Sequence, residues 1–497
     1  MATKQAIVVG SGFAGLSAAT FLSNAGYKTI VLEKNNQLGG RARQLSAKGF
    51  KFDMGPSWYW MPDVFERYFS RFNKSTSDYY KLIRLDPSYS VVFDENDKLD
   101  IPANYHTLRA CFETIEKGSA RNLDKFLEEA AFKYKVGIND LVYKPARSLM
   151  EFINFRLLIN MIKMDIFGSF QSHINKYFRS KRIHQLLEFP ILFLGALAKN
   201  TPALYSLMNY ADIKLGTWYP EGGMRVVVDG MIELARDKGV DFRTSCEANG
   251  FVYSGNSIVG VKADHQTIPA DIVVAGADYH HVETQLLEKR FRTYSDAYWD
   301  SRLLAPSSLL FYLGFNKKIE GLTHHTLFFD KPFGPHAQAI YESKKWPSDP
   351  LFYVNIPSKT DPTVAPENCE NMMVLIPVAA GIEDKEEIRE KYFDIVFDRF
   401  KTYLGDDIRK YIVYKKSYAH NDFRADYHAF KGNAYGLANT LRQTAILKPS
   451  IKSKKVKNLY FTGQLTVPGP GVPPSLISGE VVAKEIIKDF PINQEIE

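Results

Sequence analysis

The residues best suited to chemistry lie near the N-terminus, where three glycines follow a short apolar run. Residues 6–9 have the composition of a buried parallel strand, and they lead into Gly10, Gly12 and Gly15 with the spacing G-x-G-x-x-G. The first glycine permits a tight turn, the second lets a pyrophosphate approach the backbone, and the third allows close packing of helix on strand. Residues 16–25 have helical spacing. The pattern predicts a dinucleotide site with the phosphates at a helix N-terminus.

An acidic residue stands where such a site needs one. Residues 28–32 form the second predicted strand, and Glu33 follows directly, in position to accept hydrogen bonds from ribose hydroxyls. An ordinary glycine turn in a βα unit would not predict this acid. Gly39, Gly40 and Arg41 come next, and a second glycine pair with an arginine is unusual for a nicotinamide site. We therefore expect FAD, bound by Gly10, Gly12, Gly15, Glu33, Gly40 and Arg41.

A second segment near the C-terminus has features of the same kind of site. Residues 456–461 read as a buried strand, which leads through Gly463 and a Pro- and Gly-rich turn to a helix starting near Ser475. The positive end of that helix could face the electron-rich ring of a reduced flavin. We expect Gly463 and Val472 near the ring. The alternative is a proline-rich turn before a terminal helix.

Length and composition indicate a globular protein of two or three structural units. The chain has 497 residues, of which 45% are hydrophobic and 24% are charged. Aromatic residues make up 13%, which is compatible with large cores or with a long apolar ligand channel.

The cysteines and the apolar runs indicate in which cellular compartment the protein works. Cys111, Cys246 and Cys369 form no C-x-x-C pair, so we expect neither a disulfide framework nor a cysteine metal site, and we assign no metal ligands. A reducing cytoplasm is the expected compartment. The first strand begins almost at once, which predicts no signal peptide. The apolar run at residues 189–198 is too short to span a bilayer.

The net charge of +7 is concentrated in two segments. Residues 144–185 contain eight Lys or Arg but only two acids, Glu151 and Asp165. Phe, Ile, Leu and Met are interleaved with the cations. Such a helical run is typical of a segment lying in a membrane interface. The alternative is an amphipathic cap over the protein's own core. Nucleic acid is disfavoured because few hydrogen-bonding side chains are available for base readout. Five lysines within 448–457 form a second patch, which a solvated basic face would also explain.

The alternation of predicted strands and helices indicates an α/β fold of several interleaved parts. Residues 216–276 return to α/β patterning, as expected for a dinucleotide domain interrupted by an insertion. We predict a Rossmann-type FAD-binding domain, an inserted substrate domain with a mixed sheet and helices, and a helical membrane-contact region. The FAD-binding parts are residues 1–75, 206–290 and 431–497, the substrate parts are 76–140 and 291–430, and the membrane-contact region is 141–205.

Several longer motifs resemble one known family. They are GSGFAGLSAA, LEKNNQLGGRAR, GFKFDMGPSW, GTWYPEGGM, HHTLFFD, TDPTVAPENCENMMVLIPV, HNDFRADYHAFKGNAYGL and KNLYFTGQLTVPGPGVPPSLISG. Together they resemble the FAD-dependent carotenoid desaturases of the bacterial phytoene desaturase type, within the flavin amine oxidase-like superfamily. The resemblance covers nearly the whole chain. It implies a flavin domain, a lipid-substrate domain and peripheral attachment to the inner face of the cell membrane.

The resemblance also implies a catalytic acid, and here the chain departs from the family pattern. The acid aligns with Glu151, but the arginine expected three residues later is Asn154, with Arg156 nearby. Glu151 is the first candidate for the acid/base partner of the flavin, and a solvated residue at a helix start is the alternative reading. Asp422, beside Phe423, is the next candidate. In the last motif, residues 464–467 replace the family's alanine-glycine-threonine-histidine stretch.

The expected reaction removes two hydrogens from a C–C single bond of a long polyene. Such a bond has no polar handle, so the flavin would accept the hydride while the protein positions the substrate and accepts a proton. Phytoene desaturation and 3,4-desaturation of a 1-hydroxylated carotenoid both remain open, as does the electron acceptor, oxygen or a quinone. The alternatives are a flavin amine or porphyrinogen oxidase and a non-catalytic prenyl-lipid-binding protein of the GDP-dissociation-inhibitor type.

Overall fold

The structure is a computed structural model that describes residues 4–152, 168–192 and 197–492. Nineteen strands and fourteen helices in these residues position the site. The strands are β1 Gln5–Val9, β2 Lys28–Leu32, β3 Gln44–Ala47, β4 Phe50–Asp53, β5 Leu82–Arg84, β6 Tyr89–Asp94, β7 Asp97–Ile101, β8 Trp218–Pro220, β9 Asp241–Arg243, β10 Ala248–Ser254, β11 Ser257–Ala263, β12 Gln266–Pro269, β13 Ile272–Ala275, β14 Ser307–Phe315, β15 His325–Phe328, β16 Phe352–Asn355, β17 Glu370–Val378, β18 Ile412–Tyr418 and β19 Leu459–Phe461. The helices are α1 Phe13–Asn24, α2 Pro62–Ser70, α3 Tyr105–Ile115, α4 Ser119–Val136, α5 Phe170–Asn175, α6 Lys181–Leu192, α7 Leu207–Tyr210, α8 Met224–Asp237, α9 Tyr279–His281, α10 Asp296–Asp300, α11 Phe333–Gln338, α12 Glu386–Leu404, α13 His420–Tyr427 and α14 Val472–Asp489.

A five-stranded parallel sheet forms the base of the predicted dinucleotide domain. Its order is β19-β13-β1-β2-β9, so strands from three distant parts of the chain lie side by side. In the register, Val8 pairs with Val31 on one side and with Val274 on the other. The central strands are apolar and buried on both faces, as parallel strands covered on both sides must be.

Each face of this sheet has its own cover. Alternate residues such as Val8 and Val274 pack against α1, α8 and α14. The residues between them, such as Ile7 and Val273, pack against the antiparallel sheet of β10, β11 and β12. The predicted α/β fold with a Rossmann-type domain is confirmed.

A seven-stranded mixed sheet forms the second layer system. Its order is β18-β14-β17-β16-β15-β6-β7, and β15 pairs with β6 in parallel while the other pairs are antiparallel. Every residue of β14 is buried. One face packs against α12, and the other faces α3, α4, α5 and α6. Two segments far apart in the sequence therefore build one sheet, as an inserted substrate domain requires.

The predicted membrane-contact region is described only in part, since residues 153–167 lie outside the described residues. The described part does not form one continuous helix, because α5 and α6 are separate. Phe170, Ile174 and Phe178 are buried in the core beneath the mixed sheet. Arg147 pairs with Glu485 and Arg182 with Asp97, so acids from elsewhere offset part of the local charge. The described part thus buries apolar side chains in the protein's own core, and membrane contact of the whole region stays a prediction.

The second basic patch also differs from a solvated basic face. Lys448 is buried, its Nζ donates to Asn439 Oδ1 at 3.0 Å, and burial lowers its pKa to about 7. Lys452 forms an ion pair with Asp489 at 2.5 Å. No helix within the described residues is both long and apolar enough to cross a membrane.

Candidate active site

One cavity joins the glycine turn to the mixed sheet. Its wall includes the ends of β1, β2 and β19, the first turns of α1 and α14, and side chains from β14, β16 and β17. The carboxyl ends of parallel strands and the amino ends of the helices that follow them meet at this edge, which is the usual ligand site of such sheets.

The three glycines of the turn have three different reasons to lack a side chain. Gly10 has a φ of +96°, and a Cβ there would lie 3.0 Å from Ala277 N. A Cβ on Gly12 would meet nothing within 4 Å, so the backbone here is open to the cavity. A Cβ on Gly15 would lie 2.0 Å from Gly10 O. Gly10 and Gly12 therefore line the cavity, whereas Gly15 lies behind the turn and serves packing.

Glu33 lies at the end of β2 with its carboxylate buried in the cavity wall. One oxygen accepts hydrogen bonds from Ser11 N at 3.0 Å and Ser11 Oγ at 2.5 Å. The other accepts from Asn35 N at 2.9 Å and Asn35 Nδ2 at 3.0 Å. These partners orient the acid. The sequence analysis missed Ser11 and Asn35, although both lie within two residues of a predicted site residue.

The second glycine pair lies directly against the first. Gly40 has a φ of +56°, and a Cβ there would lie 3.0 Å from Gly12 Cα. Gly39 N donates to Ser11 Oγ at 3.1 Å, so Ser11 ties the two glycine segments together. The spacing of the sequence placed both segments at one site, and the structure brings them into contact.

Arg41 follows on the cavity wall and has few partners of its own. Its Nη2 donates to Asn433 O at 3.4 Å, its guanidinium lies 5.0 Å from the centre of the Tyr427 ring, and its Nε is buried without a hydrogen bond to a described residue. Burial lowers its pKa, and the Asp278 carboxylate opposes that shift. A cation with unused donors beside an open glycine backbone fits a phosphate group.

The C-terminal segment also lines the cavity. Gly463 has a φ of +108° and donates its N–H to Ser478 Oγ at 3.0 Å. The helix α14 begins at Val472 after Gly471, and Pro473 and Pro474 in its first turn carry no N–H. Its positive end therefore acts on the cavity mainly through the helix dipole. Both Gly463 and Val472 line the cavity.

At the Glu33 end, charged and imidazole side chains from four segments line the cavity. His281 and His428 stack with ring centres 3.9 Å apart and planes within 5°. His428 Nε2 lies 2.5 Å from Glu247 Oε1 and 3.2 Å from Lys34 Nζ. Burial and the neighbouring His428 lower the pKa of His281 to about 4. Sequence spacing could not have found this group, because its members meet only in the fold.

The other end of the cavity is apolar and aromatic. Its wall there consists of Trp58, Trp60, Pro190, Met208, Leu310, Tyr353, Leu375, Phe423 and Tyr435. Of the two readings of the high aromatic content, the structure supports both, because these residues line the cavity while many other rings fill the cores.

The two predicted catalytic acids lie elsewhere. Glu151 is in a short turn, where its Oε1 accepts from Arg147 N at 2.9 Å. Asp422 pairs with Arg389 at 2.7 Å and accepts from Ala419 N at 2.9 Å at the start of α13. Neither residue lines the cavity, although Phe423, next to Asp422, does. Both assignments stay predictions, and each requires that the carboxylate reach the reacting atoms. No group of three or more metal-ligating side chains occurs in the described part of the chain.

Known proteins with similar sequences agree with this geometry. Residues 13–487 match the family described as flavin-containing amine oxidoreductase. The chain is 41% identical to a carotenoid 3,4-desaturase of Haloarcula japonica over 98% of this chain and 99% of that protein. It is 30% identical to the 4,4'-diaponeurosporene-forming 4,4'-diapophytoene desaturase of Staphylococcus aureus strain Newman, over 97% and 98% of the two chains.

A solved structure shows that the fold itself is shared more widely. An oxidoreductase from Methanosarcina mazei superposes with a TM-score of 0.64 at 16% identity, covering 97% of this chain and 100% of that one. The chain therefore belongs to the flavin-containing amine oxidoreductases and, within them, to the carotenoid desaturases.

Proposed function

We propose that this protein binds FAD and introduces the 3,4 double bond into an acyclic carotenoid. The observation that carries the proposal is the single cavity, with a dinucleotide turn at one end and an aromatic, apolar wall at the other. The 41% identity to a carotenoid 3,4-desaturase favours this reaction over phytoene desaturation.

FAD fits the residues of the cavity. Glu33 would accept hydrogen bonds from the ribose, the open backbone at Gly12 and the donors of Arg41 would bind the pyrophosphate, and Gly463 and Val472 would lie near the ring. Both sets of residues line one cavity. A dinucleotide can contact both sets, whereas a mononucleotide could contact only one.

When bound, the flavin supplies the hydride acceptor for a C–H bond that has no acidic proton. The chain holds the polyene between aromatic side chains, excludes water from the apolar end of the cavity, and presents the positive ends of α1 and α14 to negative charge on the cofactor. The carboxylates on the cavity wall that could accept a proton are Glu33, Glu247, Asp278 and Asp426.

The test is anaerobic mixing of the purified yellow protein with an acyclic carotene. We expect the flavin absorbance to bleach while the carotenoid absorption moves to longer wavelength, because desaturation extends conjugation. Bleaching by a simple primary amine, with no response to carotene, would indicate an amine oxidase. A protein that binds prenyl lipid but never takes up flavin would indicate a binding protein of the GDP-dissociation-inhibitor type.

We also propose that the protein works at a membrane surface in the cytoplasm, because its substrate dissolves in lipid. In the sequence, Lys176, Arg179 and Lys181 follow the segment of residues 153–167, which is rich in Phe, Leu, Ile and Met. Replacing these three cations by Gln should weaken binding to anionic liposomes by about 1 kcal/mol for each charge near the surface. Wild-type protein that does not bind such liposomes at low salt would refute this proposal.

The electron acceptor needs its own test. Comparing the reaction on liposomes that contain a quinone with the reaction in air would identify it.

A further inference from the structure

A buried lysine lies behind the turn that leads into α14. Lys448 is 5% exposed, and its Nζ donates to Asn439 Oδ1 at 3.0 Å. A Cβ on Gly469 would lie 2.8 Å from this Nζ and 3.1 Å from Asn439 Oδ1, so both polar groups pack against the Gly469 backbone. Residues 470–472, which follow in the turn, line the cavity. Lys448 itself does not line it, so the amine is one layer behind the cavity wall.

Hydrogen bonds set the position of the lysine relative to this turn. Pro449, the next residue, accepts a hydrogen bond at its carbonyl oxygen from Thr466 Oγ1 at 2.6 Å. At the other end of the segment, Gln443 Nε2 donates to Leu303 O at 2.8 Å. Both donors are buried. The segment from residue 443 to residue 449 is therefore fixed to the turn on one side and to the residues before β14 on the other.

The buried amine has no counter-charge among the described residues. Burial is the sole cause that lowers the pKa of Lys448 to about 7, and no titratable group contributes to the shift. The acids on the neighbouring helix α14 are paired with other cations, Asp489 with Lys452, Glu480 with Lys484 and Glu485 with Arg147. A buried charge without a partner is expensive, and a strongly perturbed group beside a cleft is a candidate for function.

The cofactor of the proposed function supplies a charge of the right sign. Its ring is expected beside Gly463 and Val472, and the ring gains negative charge on reduction. The helix α14 has Pro473 and Pro474 in its first turn, so fewer backbone N–H groups are available there to stabilise that charge. An ammonium group one layer behind the turn adds a full positive charge. Because the turn and not water separates the two groups, the field is only weakly screened.

We infer that the ammonium group of Lys448 stabilises the reduced flavin across the turn, and that Lys448 takes up a proton when the flavin is reduced. The two effects are reciprocal, because a charge that favours reduction is itself favoured by reduction. Lys448 acts through the field and touches neither the substrate nor the cofactor, so it is a positioning residue. The inference rests on the proposed function, because it requires a flavin in this cavity.

The proton balance of the reaction agrees with this role. Oxidation of one C–C single bond yields two electrons and two protons. The reduced ring keeps both electrons and one proton, and a neutral Lys448 binds the other proton. The balance therefore requires no proton from the solvent, and both protons leave when the acceptor reoxidises the flavin.

The test measures how many protons accompany reduction of the flavin in the wild-type holoenzyme. The midpoint potential is determined at each pH by equilibration with a reference dye during slow reduction. The slope of the potential against pH gives the number of protons taken up. Lys448 is already charged below about pH 7, before reduction begins. We therefore expect about one proton per flavin below this pH and about two just above it.

Two substitutions separate the charge of the lysine from its packing. Lys448→Met removes the charge but nearly keeps the length of the side chain, and it should lower the equilibrium constant for reduction by the dye about 10-fold at about pH 6. It should also abolish uptake of the second proton. Lys448→Arg stays charged, so it should keep the favourable equilibrium at about pH 8.5 without taking up the second proton.

A matched control and distinct outcomes complete the test. Lys457→Met changes an exposed lysine nearby in the sequence and should alter neither the potential nor the proton count. A wild-type slope of one proton per flavin at every pH would overturn the inference, as would a Lys448→Met protein with an altered melting temperature but an unchanged potential. Both results would leave the proposed desaturation intact. Purified protein that never takes up flavin would refute the proposed function, and the inference with it.

Discussion

Gly12 and Gly15 lie three residues apart on one turn, yet a side chain has opposite consequences at the two positions. At Gly12 a Cβ meets nothing within 4 Å, whereas at Gly15 it would lie 2.0 Å from a carbonyl oxygen. Function at the residue scale thus depends on which glycine faces the ligand and which faces the protein. The same separation applies to the acids, since Glu33 faces the cavity and Glu151 and Asp422 do not.

The glycine pair gives a direct prediction. Gly12→Val should fold normally but lower the affinity for FAD by roughly 100-fold, about 2.7 kcal/mol, because the branched side chain occupies space that the pyrophosphate needs. Gly15→Ala should destabilise the fold by roughly 3 kcal/mol or more, because the backbone cannot move aside. Circular dichroism and flavin absorbance measure the two effects separately. Full flavin retention in Gly12→Val would contradict the site.

The acids give a second prediction at this scale. Glu151→Gln and Asp422→Asn should both retain the wild-type rate of anaerobic flavin reduction by carotene, because neither carboxylate lines the cavity. Asp422→Asn should cost about 1 kcal/mol of stability through its weakened pair with Arg389, because the Asp422 side chain is partly exposed to solvent. Stopped-flow absorbance measures the rate. A loss of reduction with flavin still bound would restore the affected acid as the catalytic candidate.

At the element scale, the start of α8 depends on two buried carboxylates from different parts of the chain. Asp53 Oδ2 accepts from Met224 N at 2.8 Å. Asp361, in the TDPTVAPE motif, accepts from Gly222 N at 2.7 Å and from the Tyr219 hydroxyl at 2.9 Å. The motif that most clearly marks the family thus fixes the turn before a helix, and it joins the two sheets' domains.

The stability of this junction should depend on pH. Burial raises the pKa of Asp53 from 3.8 to about 7, with a further contribution from Asp361. Because the pKa is higher in the folded state than in the unfolded state, protonated Asp53 stabilises the fold. This stabilisation is fully present below pH 3.8 and is lost as the pH rises through about 7. Asp53→Asn, which has no charge to bury, should therefore gain about 1–3 kcal/mol relative to wild type between about pH 5 and pH 8.

Melting temperatures at the two pH values measure this difference. Glu233→Gln removes an exposed acid from the same helix and serves as the control, for which we expect a pH dependence parallel to that of wild type. If Asp53→Asn also runs parallel to wild type, the buried carboxylate does not titrate in this range.

At the scale of the whole molecule, the cavity is built from segments that are far apart in the chain. Gly12, Glu33, Asp278 and Gly463 all line it, and they follow four different strands of one parallel sheet. Tyr353 and Leu375 add the wall from the other sheet. A ligand that contacts all of them links these segments and should stabilise the entire fold.

FAD should therefore raise the melting temperature of the flavin-free protein. At a concentration of 100 Kd the expected gain is about 2.7 kcal/mol. Flavin mononucleotide at the same concentration should stabilise much less, because it cannot reach Glu33 and the ring site together. Differential scanning fluorimetry makes the comparison. Equal stabilisation by both flavins would argue against a role for the Glu33 end of the cavity.

The sequence by itself was sufficient for features whose cause is local. The turn at Gly10, Gly12 and Gly15 follows from steric limits on a few neighbouring residues, and the acid at Glu33 follows from the length of one strand. The helix α12, Glu386–Leu404, is of the same kind, since its apolar period is internal to the segment. The strands β6 and β7 are likewise local, since only residues 95 and 96 separate them.

Only the tertiary structure decided where distant residues meet. The basic segment after residue 144 has the sequence pattern of a membrane-interface helix, but in the fold Phe170 and Phe178 lie in the protein's core and Arg182 pairs with Asp97. Asp422 is a candidate catalytic acid from the sequence, and only the fold shows that it pairs with Arg389. Ser57 and Tyr353, which are 296 positions apart in the sequence, lie within hydrogen-bond distance in the fold. Burial, ion pairing and hydrogen-bond direction depend on such long-range neighbours, and no local spacing encodes them.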